Sequence, residues 1–189
     1  MKQKPVIGFG KRLLRHVSRI TNKHATSIEG FRYGLDFIQP DGECKHLDLS
    51  NLIPDAGLRY LGGGTAFEGM ATYTDFFFAL YTLGRAPLVT DTMANLPEYG
   101  ELITGTDRTA RQRWNFTRTG GTYDSSANPA LYTVTAASVT VRGIMLCTQA
   151  AYLSTDGILL SARLLDSPEV VRQGGFIRAT ATHTFQRGA

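Results

Sequence analysis

The sequence predicts a mainly β fold: an antiparallel β-sandwich or jelly-roll-like domain with one or two short helices and an extended basic N-terminal arm. Three observations lead there. Apolar residues alternate at period two in several short runs, turn-forming clusters separate those runs, and Thr supplies 22 of the 189 residues. β-Branched side chains suit a pleated surface and lose rotamer freedom in a helix, so such a composition favours strands.

The first strand is expected over 31–38, where Phe31, Tyr33, Leu35 and Phe37 share one face. Gln39-Pro40-Asp41-Gly42 follows as a turn, with Pro presetting one backbone angle and Gly admitting a conformation that other residues resist. Cys44 to Leu49 then returns as the second strand of a hairpin. A short helix is expected from Pro54, which suits a first helical turn, with Asp55 beside the positive helix end. Asn51 is an alternative cap for it; Ile53, Leu58 and Leu61 give it an apolar side, and Gly62-Gly63-Gly64 ends it.

Thr74 to Leu83 carries Phe76, Phe77 and Phe78 in succession and does not alternate. That pattern predicts a strand covered on both faces, or one packed against a partner protein. The long stretch beyond Gly84 is rich in small and polar residues, with a short helix near Thr90 to Leu96 and a strand near Gln112 to Thr117, where Trp114 and Phe116 alternate. The last sixty residues are more regular. Strands are expected at Leu131–Val134, at Val139–Cys147 with a bulge at Gly143, at Gly157–Leu165 and at Phe176–Phe185.

Length alone gives roughly one domain, large enough to bury a core without staples. Gly follows no triplet period, and no apolar run approaches a membrane-spanning length. A basic start without a following apolar region does not fit a signal peptide. Cys44 and Cys147 form no CxxC or other framework; two reduced thiols are expected, with a bridge between them left open.

The net charge of +4 hides a division of the chain. Residues 1–28 hold Lys2, Lys4, Lys11, Arg12, Arg15, Arg19 and Lys23 and no acid, so the remainder, 29–189, carries 7 − 4 = 3 more acidic than basic groups. The arm 1–28 and the β domain 29–189 are therefore separate units. Leu13, Val17 and Ile20 fall on one side of a helical turn in the arm, opposite Lys11, Arg12, Arg15 and Arg19. Such a segment can face water, dock on an acidic protein, or meet nucleic acid or a membrane surface. With Phe9 its only aromatic residue, the arm lacks the stacking residues of a nucleic-acid binder, and protein partners are favoured.

No catalytic signature is present. His16, His24, His46 and His183 make no metal-ligand spacing, and HExxH, GxSxG and dinucleotide fingerprints are absent. His46 and Asp48 point the same way along one strand and read as an edge-strand contact. The densest polar cluster, Asp107 with Arg108, Arg111 and Arg113 beside Trp114, reads as an interface rim, because Arg and Trp are enriched where proteins meet. No enzyme activity, cofactor or metal is expected. The candidate partner-binding residues are Lys11, Arg12, Arg15, Arg19, Arg108, Arg111, Arg113 and Trp114. A carbohydrate-binding module is the alternative, with Trp114 and Tyr123 or Tyr132 as an aromatic platform.

Several fragments also carry a family resemblance. Asn51-Leu52-Ile53-Pro54-Asp55-Ala56-Gly57-Leu58-Arg59-Tyr60 resembles the opening signature of small structural proteins of tailed bacteriophages. Leu83-Gly84, Asp91-Thr92-Met93-Ala94, Arg111 to Trp114, Ala127 to Tyr132, Val141 to Leu146, Gly157 to Ala162 and Gly174-Gly175 follow in the family's order, across roughly residues 31–185. The resemblance implies a non-catalytic, homo-oligomeric virion component of the capsid surface, neck (head-tail connector) or tail, with major capsid, portal or adaptor, or tail subunits as partners. It carries over no catalytic residue. Phe77-Phe78-Ala79-Leu80 and the basic arm depart from the family pattern.

Overall fold

The computed structural model describes residues 30–64 and 69–184. Among these residues, ten strands form two antiparallel sheets that share one core, and two short helices pack with them. This is the sandwich-like, mainly β architecture expected from the alternating runs.

The first sheet begins with the hairpin of β1 (Arg32–Ile38) and β2 (Cys44–Ser50), joined through Gly42 at φ 89°. Tyr33, Leu35 and Phe37 are buried on one face, as the period-two pattern requires. At the centre lies β10 (Phe176–Thr184), which pairs with β1 along seven residues from Arg32↔Thr182 to Ile38↔Phe176. Its other edge is shared by β7 (Ala130–Thr133) and β6 (Thr122–Asp124), and β5 (Thr117–Thr119) closes that side. Between β6 and β7, Ser125 takes the place of a strand residue: its hydroxyl accepts from the Ala181 N–H at 2.9 Å, and its own N–H donates to the Ala181 carbonyl at 3.2 Å.

The second sheet runs β4 (Gln112–Arg113), β3 (Phe77–Tyr81), β8 (Ser138–Cys147) and β9 (Leu159–Arg172). Its inner face meets the first sheet through Phe78, Leu80, Val141, Ile144, Leu146 and Leu160. Its outer face is covered by a 3-10 turn (Met93–Asn95) and the helix here called α2 (Leu96–Tyr99), which place Met93, Leu96 and Tyr99 over Ala79, Tyr81, Met145, Cys147 and Ala162. β3 is thus buried on both faces by its own chain, which explains its unbroken apolar run. On β9, Leu159 and Ala162 are buried beneath the same cover, while Leu160 joins the inner core and Ser161 meets the Tyr33 hydroxyl there.

The helix expected at Pro54 is α1 (Asp55–Arg59), capped by extended Pro54 and running into a wider turn over Tyr60–Gly64. Gly57 faces the β9 backbone so closely that a Cβ would stand 2.4 Å from the Leu160 carbonyl oxygen. Leu58, expected on the apolar side, is 39% exposed. The bulge falls at Gly143, where the β8–β9 register shifts from Val141↔Glu169 to Gly143↔Leu164. The unpaired stretch opposite admits Pro168 into a fourteen-residue strand. Cys44 is exposed and Cys147 buried, and both thiols are free.

Candidate functional site

Lys11, Arg12, Arg15 and Arg19 lie outside the described residues. The other four candidates do not converge on one surface. Trp114 is only 5% exposed; its ring packs among Phe31, Phe76 and Phe116, and its Nε1–H donates to the Ala181 carbonyl at 3.1 Å. Tyr132 is equally enclosed, with its hydroxyl on the Phe78 carbonyl at 3.2 Å. Neither ring offers an exposed platform for a sugar. The alternation of Trp114 and Phe116 indicates a buried face, and that signal outweighs the general enrichment of Trp at interfaces.

Arg111 is also interior. Its Nε and Nη2 bond the two oxygens of Glu101 at 2.6 and 2.9 Å, and neither side chain of the pair is exposed. The remaining donors reach the Gln149 and Ser154 carbonyls, and the Cys147 sulfur lies 3.6 Å from Nη1. Burial disfavours the guanidinium charge, but the Glu101 bonds and the neighbouring Cys147 outweigh it and raise the Arg111 pKa. Among the candidates within the described residues, only Arg108 and Arg113 retain surface. Arg113 is exposed and paired with Asp75, while Arg108 is half-buried, bonding the Leu131 carbonyl at 2.7 Å beside Asp107.

The buried pair has a consequence at the surface. Glu101 Oε2 also accepts from the Leu153 N–H at 2.8 Å, and Leu153 has a φ of 59°, unusual for a residue with a Cβ. Held there, the Leu153 side chain is 56% exposed. Leu83, Leu88 and Val89 add further exposed apolar side chains in the loop leading to α2. Nothing local in the sequence marks Leu153, because the strain comes from a partner fifty-two residues away.

An aromatic cavity of about 230 Å³ lies at one end of the sandwich, lined by Phe31, Tyr60, Phe76, Trp114, Phe116 and Tyr123 among others. His183 stacks on Phe31 at 4.4 Å there. On the outer face of the first sheet, His46 Nδ1 lies 2.5 Å from Asp36, and its Nε2 lies 3.5 Å from Asp48. Arg178 approaches the second Asp36 oxygen at 3.6 Å. His46 and Asp48 therefore do share a side of the edge strand. Among the described residues no group of three His, Cys, Asp or Glu side chains is arranged to hold a metal, and no helix is long and apolar enough to cross a membrane.

No family model, curated protein or solved structure matches the chain.

Proposed function

We propose that this chain is a non-enzymatic structural component of a tailed-phage virion, assembling through its arm and loops onto capsid, neck or tail subunits. The observation that carries the reading is the ordered series of fragments between residues 31 and 185 that resembles such proteins. In the fold those fragments have structural roles. Asn51–Tyr60 leads into and forms α1, Asp91–Ala94 starts the capped turn over the second sheet, and Val141–Leu146 holds the bulge. A rigid scaffold with locked polar groups and outward apolar loop residues suits repeated assembly, where several weak contacts per subunit add up.

The arm brings seven positive charges to a body with a net charge of −3, so it can bind an acidic neighbour through contacts that weaken with salt. Deleting residues 1–23 is expected to leave thermal unfolding of the body unchanged while reducing incorporation into particles. Imaging of intact particles with the protein labelled gives position and symmetry together. Undiminished incorporation of the truncated chain, or particles that never contain the protein, overturns the reading.

A further inference from the structure

Among the described residues, four of the five lateral sheet edges are short or capped; on the free side of β7 the Asp107 N–H and the Arg108 Nε–H donate to the Thr133 and Leu131 carbonyls at 2.9 and 2.7 Å. β4 has two residues and β5 three. β9 is long, but its outer side is filled: Leu52 exchanges two backbone bonds with Ala162, at 3.1 and 3.0 Å. Farther along, the Gln39 side-chain amide imitates a strand, donating to the Val170 carbonyl at 2.7 Å and accepting from the Arg172 N–H at 3.1 Å.

The remaining edge is different. β2 is seven residues long, free of Pro and of bulges, and among the described residues no backbone segment pairs with its outer side. Gln39 N–H donates to the Glu43 carbonyl, and from there the antiparallel alternation follows. Lys45, Leu47 and Leu49 turn their backbone groups toward β1, and Cys44, His46, Asp48 and Ser50 turn theirs outward. Natural proteins protect such an edge unless it is used.

We propose that β2 pairs antiparallel with β2 of a second copy of this chain, about a twofold axis through Leu47, so that one sheet runs across both subunits. In this register all seven residues are paired. Cys44 faces Ser50 of the second copy and His46 faces its Asp48, with each contact repeated by symmetry. The outward-turned residues form four mutually bonded pairs, about eight backbone hydrogen bonds in all.

Charge selects this register over its neighbours. Shifted one way, His46 meets His46 of the second copy; shifted the other way, Asp48 meets Asp48. Only the central register sets unlike partners across the axis, and like charges directly opposite are destabilising. It also extends an alternating row on the outer face, from Arg178 through Asp36 and His46 to the second copy's Asp48. The inference rests on the strand edge alone and holds whether or not the protein belongs to a virion.

The test uses the purified full-length chain in solution. Sedimentation from about 1 to 500 μM is expected to show a concentration-dependent dimer of moderate affinity. Asp48→Lys replaces the carboxylate opposite His46 of the second copy with an ammonium, and Asp48→Pro removes an outward N–H without touching the β1 pairing. Each should raise the dissociation constant by about 10- to 100-fold, with folding checked by thermal unfolding. Ser50→Cys places a thiol opposite native Cys44 at a Cα separation of about 5.5 Å, within disulfide range. Mild oxidation should yield a covalent dimer whose peptide map joins Cys44 of one copy to the thiol introduced by Ser50→Cys in the other. A chain that stays monomeric throughout overturns the proposal. So does a dimer that is indifferent to both Asp48 variants and forms no such bridge, which would assign association to another surface such as the arm.

Discussion

Arg111 and Glu101 form a doubly hydrogen-bonded ion pair with neither side chain exposed, and through it the segment before β4 is tied to the loop between β8 and β9. A buried pair of this kind stabilises little relative to apolar residues of similar volume, yet breaking it strands a charge. Glu101→Gln is expected to lower the unfolding free energy by about 3–5 kcal/mol in denaturant titrations. Removing both charges with Arg111→Met and Glu101→Leu should recover only part of that loss. The Gln149 and Ser154 carbonyls and the Leu153 N–H lose their partners in the double variant. A neutral Glu101→Gln would contradict the buried-pair account.

Asp91 organises the cover over the second sheet in a comparable way. Burial alone would raise its pKa, but hydrogen bonds from Arg85, the Tyr99 hydroxyl and the Leu88 N–H outweigh that and hold it at about 2. A carboxyl lowered on folding stabilises the protein fully above its unfolded pKa, near 3.9, and the contribution fades as pH falls through about 2. Asp91→Asn should therefore cost on the order of 2–3 kcal/mol at neutral pH, and the difference from wild type should shrink in acid. Unfolding measured at pH 7 and pH 2.5 checks it; a gap that stays constant across that range would exclude the mechanism.

Much of the fold is legible in local pattern, because hairpin, bulge and strand signals are local physics. Tyr33, Leu35 and Phe37 alternate, Pro40 and Gly42 mark the turn, and Gly143 marks the bulge. The errors arise where a distant segment decides. Leu159 is buried because the turn over Met93–Asn95 and α2 cover the far face of β9, and Ser161 because its hydroxyl meets the Tyr33 hydroxyl of the first sheet; no window around residue 161 reveals either. Arg111 reads as surface because its neighbours are polar, while its partner lies ten residues earlier in a loop without regular spacing. The open side of β2 is equally invisible, since an edge is defined by the strands that do not pair with it.

Tyr81 and Gly143 make a prediction about shape. The Tyr81 ring crosses the β8 bulge so closely that a Cβ on Gly143 would lie 1.9 Å from the ring carbon Cζ. Gly143→Ala is thus expected to destabilise by about 1–3 kcal/mol, the range for overpacking a filled core. The Tyr81 hydroxyl is buried without a hydrogen-bond partner among the described residues, so Tyr81→Phe should be neutral or stabilising by up to about 1 kcal/mol. Thermal unfolding of the two variants distinguishes these outcomes. A strongly destabilised Tyr81→Phe would mean that the hydroxyl has a bonding role.

His46 supplies a titration that reports on the hairpin. Its hydrogen bond to Asp36 is the main influence and raises its pKa above the usual imidazole value; partial burial opposes this, while the charges of Asp36 and Asp48 add to it. The groups facing it are Asp36 on β1, itself shared with Arg178 of β10, and Asp48 on its own strand. A raised histidine pKa stabilises the folded state fully below the unfolded value, near 6.5, and that stabilisation is lost as pH rises through the folded value. Because the imidazole is largely exposed, the effect on global stability is small. The shift itself is measurable by NMR titration of the ring protons, and Asp36→Asn should move the midpoint down further than Asp48→Asn does. Equal shifts from the two variants would mean that the cross-strand contact does not dominate the site.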